Sequence, residues 1–186
     1  MNQPSNTKRK LEVVDYDPNW HDKFICEHSL ISQGLGNNVI AIHHIGSTSV
    51  TGLAAKPIID ILLEVSCLNE LDNQSEQLTE IGYIAKGENG IAGRRYFQKG
   101  GTQRSHQLHA FQAQHPAIVR HLAFRDYLMA HPEVTDEYAR LKKALVSQCQ
   151  NCMQAYMAGK NDFIQYHERL ALSWYQSDKD ETVKET

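Results

Sequence analysis

The chain lacks any long hydrophobic run: no stretch approaches the ~20 apolar residues that a membrane-spanning helix needs, so no membrane span is expected. Cysteine is scarce. Cys26, Cys67, Cys149 and Cys152 follow no framework spacing, which argues against a disulfide scaffold and for thiols kept reduced. Cys149 and Cys152 do form a C-x-x-C, but in a helical-looking stretch with no second pair to complete a zinc site, and coincidence is preferred to redox or metal use. A basic excess is missing as well, with 19 Lys and Arg against 22 Asp and Glu. That balance excludes a dedicated nucleic-acid or acidic-membrane binder, which relies on cations to displace counterions, but leaves room for a local basic cluster. The first ten residues carry no apolar segment after their basic ones, so no signal peptide is expected and the location is expected to be cytoplasmic. There is no internal repeat.

What is present suits a folded domain. At 186 residues, 41% hydrophobic and 22% charged, the chain is long enough for one α/β core with a helical extension. Residues 1–9 are polar and expected to be loose. Leu11-Glu12-Val13-Val14 reads as a short strand, and Asp17 and Pro18 cap and open a helix reaching Leu35, ended by Gly34 and Gly36. Strands are expected over 39–45 and 58–65, with a helical piece near 49–54 between them, and a helix through Leu68, Leu71, Leu78 and Ile81 closed by Gly82. Glycine-punctuated antiparallel strands fill 83–111. Beyond Pro116 the pattern is helical to Trp174: 118–130, 133–150, 153–157 and onward from 161. The charged tail 177–186 is expected to be loose. The organisation is therefore a 10–115 core and a 116–176 helical segment packed on it.

The chemistry concentrates in His43–Val65. An apolar strand ends in Gly46-Ser47-Thr48-Ser49, a small-residue turn whose backbone N–H groups and hydroxyls sit where anions are commonly held. A second apolar strand follows, interrupted by Asp60, a charge that is costly there unless paired or facing an open site. Alternation places Ile59, Ile61, Leu63 and Val65 on the face under helices and Ile58, Asp60, Leu62 and Glu64 on the other.

This passage resembles the GrpB family, whose hallmark is HIGSTSV-x-GLAAKPIIDI: His44 through Ile61 matches continuously except at Thr51, where a proline is usual. Further matches lie at Arg104–His109, Phe124–Leu128, Tyr138 with Leu141-Lys142, and Tyr156 with Lys160–Ile164, so the resemblance spans nearly the whole chain. It implies a fold of the nucleotidyltransferase superfamily, α/β with a mixed sheet and helices, followed by a C-terminal helical segment over a cleft. It also implies nucleotidyl transfer from a nucleoside triphosphate to a small acceptor, assisted by a divalent cation, Mg or Mn. Active superfamily members carry two carboxylates one residue apart on this strand, about 6–7 Å along it, so that both reach a metal pair. Here the second position is Leu62, and Glu64 lies about 13 Å from Asp60 along the strand. The alternative is a module that binds a nucleotide or phosphorylated metabolite without catalysis. Some family members are fused to dephospho-coenzyme A kinase, which implies a role around coenzyme A.

Asp60 is expected to be catalytic and a metal ligand, or else a structural carboxylate pinning the turn through backbone N–H groups. His109 falls opposite Leu108, on the Asp60 face, as ligand, acid or base, or as a structural histidine. Gly46, Ser47, Thr48 and Ser49 are assigned to phosphate, with Lys56, Arg95 and Arg104 as its cations. Alternation allows only one of Arg94 and Arg95 to reach the site. His44 could orient the turn, and Arg125-Asp126 reads as an ion pair holding a helix. Tyr138, Lys142, Tyr156 and Lys160 could close one wall of the cleft, though packing and solvated edge are the commoner fate of such residues. Lys56 is expected near the rim, and Leu62 on the open face.

Overall fold

The computed structural model describes residues 10–184, and side chains through residue 177. The expectation for residues 1–9 lies outside them, as do residues 185–186. Helix α1, Asn19–Leu35, begins one residue later than expected: Pro18 takes the cap position, and the Asp17 carboxylate accepts the Asn19 N–H at 3.0 Å. Its Trp20, Phe24, Ile31 and Leu35 recur at helical spacing and point inward. Gly36, at φ 54°, turns the chain into β1, Val39–Ile45. Strand β2, Ile59–Val65, runs back antiparallel to it. Two short helices, α2 (Leu68–Asn73) and α3 (Ser75–Glu80), replace the single one expected, with the break at Gln74. Strands β3 (Tyr83–Ala85), β4 (Arg94–Lys99) and β5 (His106–Gln112) complete a five-stranded mixed sheet of order β1-β2-β5-β4-β3, in which only β2 and β5 are parallel.

Four helices follow: α4 (Pro116–Ala130), α5 (Pro132–Gln148), α6 (Met153–Gly159) and α7 (Asn161–Lys184), the last running into the segment expected to be loose. No helix among the described residues is long and apolar enough to cross a membrane. The mixed α/β architecture with a C-terminal helical segment is the one the sequence implied. Two local expectations fail. Residues 11–14 form no strand, because Val14 exchanges its backbone hydrogen bonds with Ala55 in a loop rather than with a sheet strand. The helical piece expected near 49–54 is instead a single 3-10 turn at Ser47–Ser49, after which Val50 and Leu53 are buried against the C-terminal helices.

Helices also cover more of the sheet than expected. Ile59, Ile61, Leu63 and Val65 pack with Leu108 and Ala110 under α1 to α3, as alternation requires. On the opposite face Leu62, 0% exposed, is sealed with Ile45 and Phe111 beneath Ala117 and Ile118 of α4. The expectation that Leu62 fronts the open cleft is therefore corrected: α4 roofs the middle of β2, and only the Asp60 end of that face stays open.

Candidate functional site

Asp60 stands at the start of β2, paired in register with Ile45 of β1, so the turn that follows β1 passes directly over it. Gly46 holds φ 70°, and a Cβ there would lie 2.6 Å from Asp60 Oδ2. Only glycine allows that approach. On the neighbouring strand, His109 Nε2 is 3.8 Å from Asp60 Oδ1, so the two side chains face each other. Arg94 fixes the imidazole from behind. Its Nη1 donates to His109 Nδ1 at 3.3 Å, while Nε and Nη2 donate to the carbonyls of Glu88 and Asn89. Guanidinium has no acceptor, so His109 Nδ1 carries the lone pair and Nε2 carries the hydrogen that faces Asp60.

That tautomer bears on metal binding. Ligation through Nε2 would move the proton to Nδ1, against the Arg94 donor. The second carboxylate position is the buried Leu62, and Glu64 is bound 2.7 Å from His43 Nε2, four residues along β2. Among the described residues no group of three or more His, Cys, Asp or Glu is placed to hold an ion. The donor set does not fit a metal pair.

The turn is divided in its work. The Thr48 hydroxyl donates to the Ile58 carbonyl at 3.2 Å, and so accepts from His44 Nε2 at 3.0 Å. His44 stacks on Phe24, and burial lowers its pKa to about 4, against the pull of Asp60. It is a neutral donor that fixes the turn. The Ser49 hydroxyl and N–H both go to the Gly46 carbonyl, at 2.6 and 3.2 Å. The Thr48 and Ser49 hydroxyls are thus used in closing the turn, while Thr48 also lines the cavity beneath it. Ser47 alone turns its hydroxyl to the cleft.

There Ser47 meets the C-terminal helices. Lys142 Nζ of α5 lies 2.9 Å from Ser47 Oγ and 4.2 Å from the centroid of the Tyr138 ring, and the residue is 2% exposed. Burial, with added repulsion from Lys160 and Lys56, lowers its pKa to about 6. Burial also lowers Lys160, against the raising influence of Asp60. Lys56 and Lys160 both reach the Tyr156 ring, at 4.6 and 5.3 Å, and burial pushes that phenol up to about 12. Ser47, Lys56, Asp60, Gln107, Tyr156 and Lys160 line a cavity of about 170 Å³. Through Lys56, Gln107 and Met157 it continues into a wider cleft of about 720 Å³, where Tyr96, Gln98 and Arg104 face the Gln150–Met153 turn. Three lysine side chains converge near one carboxylate.

Among the expected cations, Lys56 and Arg104 line the cleft and Arg95 does not. Arg95 projects to the opposite face, in a fork with Asp72 of α2 at 2.7 and 2.8 Å. Its neighbour Arg94 takes the site face, as the alternation of β4 requires. Arg125 bonds Asp126 at 2.7 Å and the His44 carbonyl at 3.1 Å, docking α4 onto β1. Lys142 and Lys160 were read chiefly as packing or edge. The signal for Lys142 was its phase: Val134, Tyr138 and Lys142 recur every four residues on the buried stripe of α5, where an unneutralised ammonium needs an anion.

A mixed five-stranded sheet, with a lysine-lined cleft between its open corner and a C-terminal helical segment, defines the class of protein. The chain belongs to the GrpB protein family, whose model matches residues 10–169. It is 48% identical over 167 residues to the UPF0157 protein YqkA of Bacillus subtilis, covering 90% of this chain but 49% of that protein, so it spans about half of that relative. It is 35% identical over 162 residues to the glutamate-rich protein GrpB of Alkalihalophilus pseudofirmus, covering 84% of this chain and 93% of that one. The crystal structure of the conserved protein GrpB from Enterococcus faecalis superposes with a TM-score of 0.86 at 40% identity, over 89% of this chain and 99% of that chain.

Proposed function

We propose that the cleft binds a phosphoryl group of a nucleotide or phosphorylated small molecule. One observation carries the reading: Lys56 and Lys160 line, with Ser47, a small cavity whose one carboxylate is Asp60, and the buried Lys142 bonds Ser47 at its wall. Cationic side chains and a hydroxyl gathered at one partly closed cavity favour an anionic ligand. The wider cleft has room for the rest of such a ligand, with Arg104 and Lys56 as further cations. Recognition by side-chain ammonium groups does not require a metal, in keeping with the buried Leu62. A second reading is nucleotidyl transfer to a small acceptor. It is favoured by Asp60, which lines the same cavity, and by the resemblance of the His44–Ile61 stretch to the GrpB family, which implies the nucleotidyltransferase superfamily.

Calorimetry with inorganic phosphate, triphosphate, the four nucleoside triphosphates and coenzyme A precursors, each with and without magnesium, tests both readings. Lys142→Met or Lys160→Met weakens phosphate binding at least about tenfold, the effect expected from removing one charge-assisted bond in a buried site. Equal affinity in parent and variants removes the cavity from function. Pyrophosphate release that is abolished by Asp60→Asn favours the transferase reading.

A further inference from the structure

Ser47 and Lys142 have a geometry that binding alone does not require. Ser47 Oγ, on the cavity wall, and Nζ of the buried Lys142 lie 2.9 Å apart, and Tyr138 is hydrogen-bonded to Ser47 as well. Burial holds the Tyr138 phenol protonated, beside Ser47. When protonated, Lys142 Nζ donates to Ser47 Oγ; at the same 2.9 Å separation the free amine can instead accept the Ser47 hydroxyl proton. The groups acting on that amine are Ser47 from the turn, Tyr138 from its own helix, and Lys160 and Lys56 across the cavity, whose lining also includes Asp60. Repulsion from the two lysines and the loss of water both favour the free amine. A serine hydroxyl beside a desolvated lysine is an activated nucleophile of a known kind.

We propose that Ser47 is a nucleophile with Lys142 as its general base, forming a phosphoserine intermediate from an acyl phosphate or a phosphoric anhydride. This rests on the reading that the cavity holds a phosphoryl group. Ser47 Oγ attacks phosphorus and its proton passes to Lys142 Nζ. The bond from phosphorus to the bridging oxygen breaks, and the leaving carboxylate or phosphate departs as an anion, its new charge balanced by the proton kept on Lys142. Lys56 and Lys160 face the phosphoryl oxygens, where charge builds in the transition state. Water or an acceptor hydroxyl entering from the wider cleft then attacks phosphorus, the bond from phosphorus to Ser47 Oγ breaks, Lys142 returns its proton to Ser47 Oγ, and the proton of the attacking hydroxyl passes to solvent.

The test uses the full chain with two probes, acetyl phosphate and a short alkyl fluorophosphonate, read by intact mass and peptide mapping. Phosphate affinity of the parent is measured separately by calorimetry. Both probes modify Ser47, and Ser47→Ala is unlabelled there. At saturating probe, Lys142→Arg keeps a cation but supplies no base, and labelling falls at least about 100-fold, the usual worth of general base catalysis. Lys142→Met gives the same loss in a side chain that fits a buried site, and circular dichroism confirms that each variant folds. The parent labelling rate rises with pH, and the rise vanishes in both Lys142 variants. Phosphate binding without a Ser47 adduct from either probe overturns the nucleophile and leaves the anion site standing. Labelling unchanged in Lys142→Arg overturns the base. An adduct without measurable phosphate affinity removes the anion reading alone.

Discussion

Gly46 and Asp60 form a unit at the scale of single residues. The sequence places a glycine in a turn of anion-binding kind, where the natural inference is close approach of backbone to phosphate. The close approach is instead to Asp60, whose carboxylate occupies the space a Cβ would fill. Gly46→Ala combines a positive φ with a 2.6 Å contact, and is expected to cost about 1–3 kcal/mol while pushing the carboxylate from the cavity. Differential scanning calorimetry reads the first effect, and the pH dependence of phosphate binding reads the second. A variant that melts like the parent would mean that the turn yields freely. His109 shows where residue-level reading stops. Its face followed from strand alternation, but its tautomer is set by Arg94 fifteen positions earlier, and no spacing rule announces that hydrogen bond.

Strand and helix faces were legible wherever period alone decides them. The β2 alternation separated core from site, and β4 was bound to send one of two adjacent arginines each way. What period could not supply was which helix would roof which stretch, and so Leu62 was placed on an open face that α4 in fact seals. The buried stripe of α5 has a thermodynamic consequence. Lys142, ordinarily titrating near 10.5, is lowered to about 6 by burial, so between those values the unfolded chain binds a proton that the folded chain does not. Stability therefore rises with pH across that window, at up to about 1 kcal/mol per unit. Below about pH 6 the penalty of the buried ammonium is fully present. His44 and His121, lowered by burial to about 4 and about 3, act in the same direction between those values and the ordinary 6.5. The expected outcome is a melting temperature that climbs from pH 5 to pH 9. Lys142→Met should flatten the climb above pH 6 and leave the acid limb. A parent curve already flat from pH 6 to 9 would show that Lys142 stays charged.

At the scale of the whole molecule, the cleft exists only because two halves meet. The sheet side brings Ser47, Lys56 and Asp60, and the C-terminal helices bring Lys142, Tyr156 and Lys160. The motif around Ser47 was conspicuous in the sequence because its residues are contiguous. Its partners were not, since the Ser47–Lys142 contact joins positions 95 residues apart and depends on how α5 and α6 settle against the turn. An anion bound between the halves adds attraction across their seam that the empty cleft lacks. That seam includes the Gln150–Asn151 turn, where two non-glycine residues hold positive φ, 45° and 64°, next to the short helix α6. Binding of phosphate or a nucleoside triphosphate is therefore expected to slow amide hydrogen exchange in residues 149–159 more than in β1 to β5, whose amides are already held by sheet pairing. Under saturating phosphate the protection should fall away in Lys160→Met, because that residue lies at the junction of α6 and α7. Protection confined to residues 46–50 would instead mean that the turn holds the anion by itself, with the C-terminal helices as bystanders.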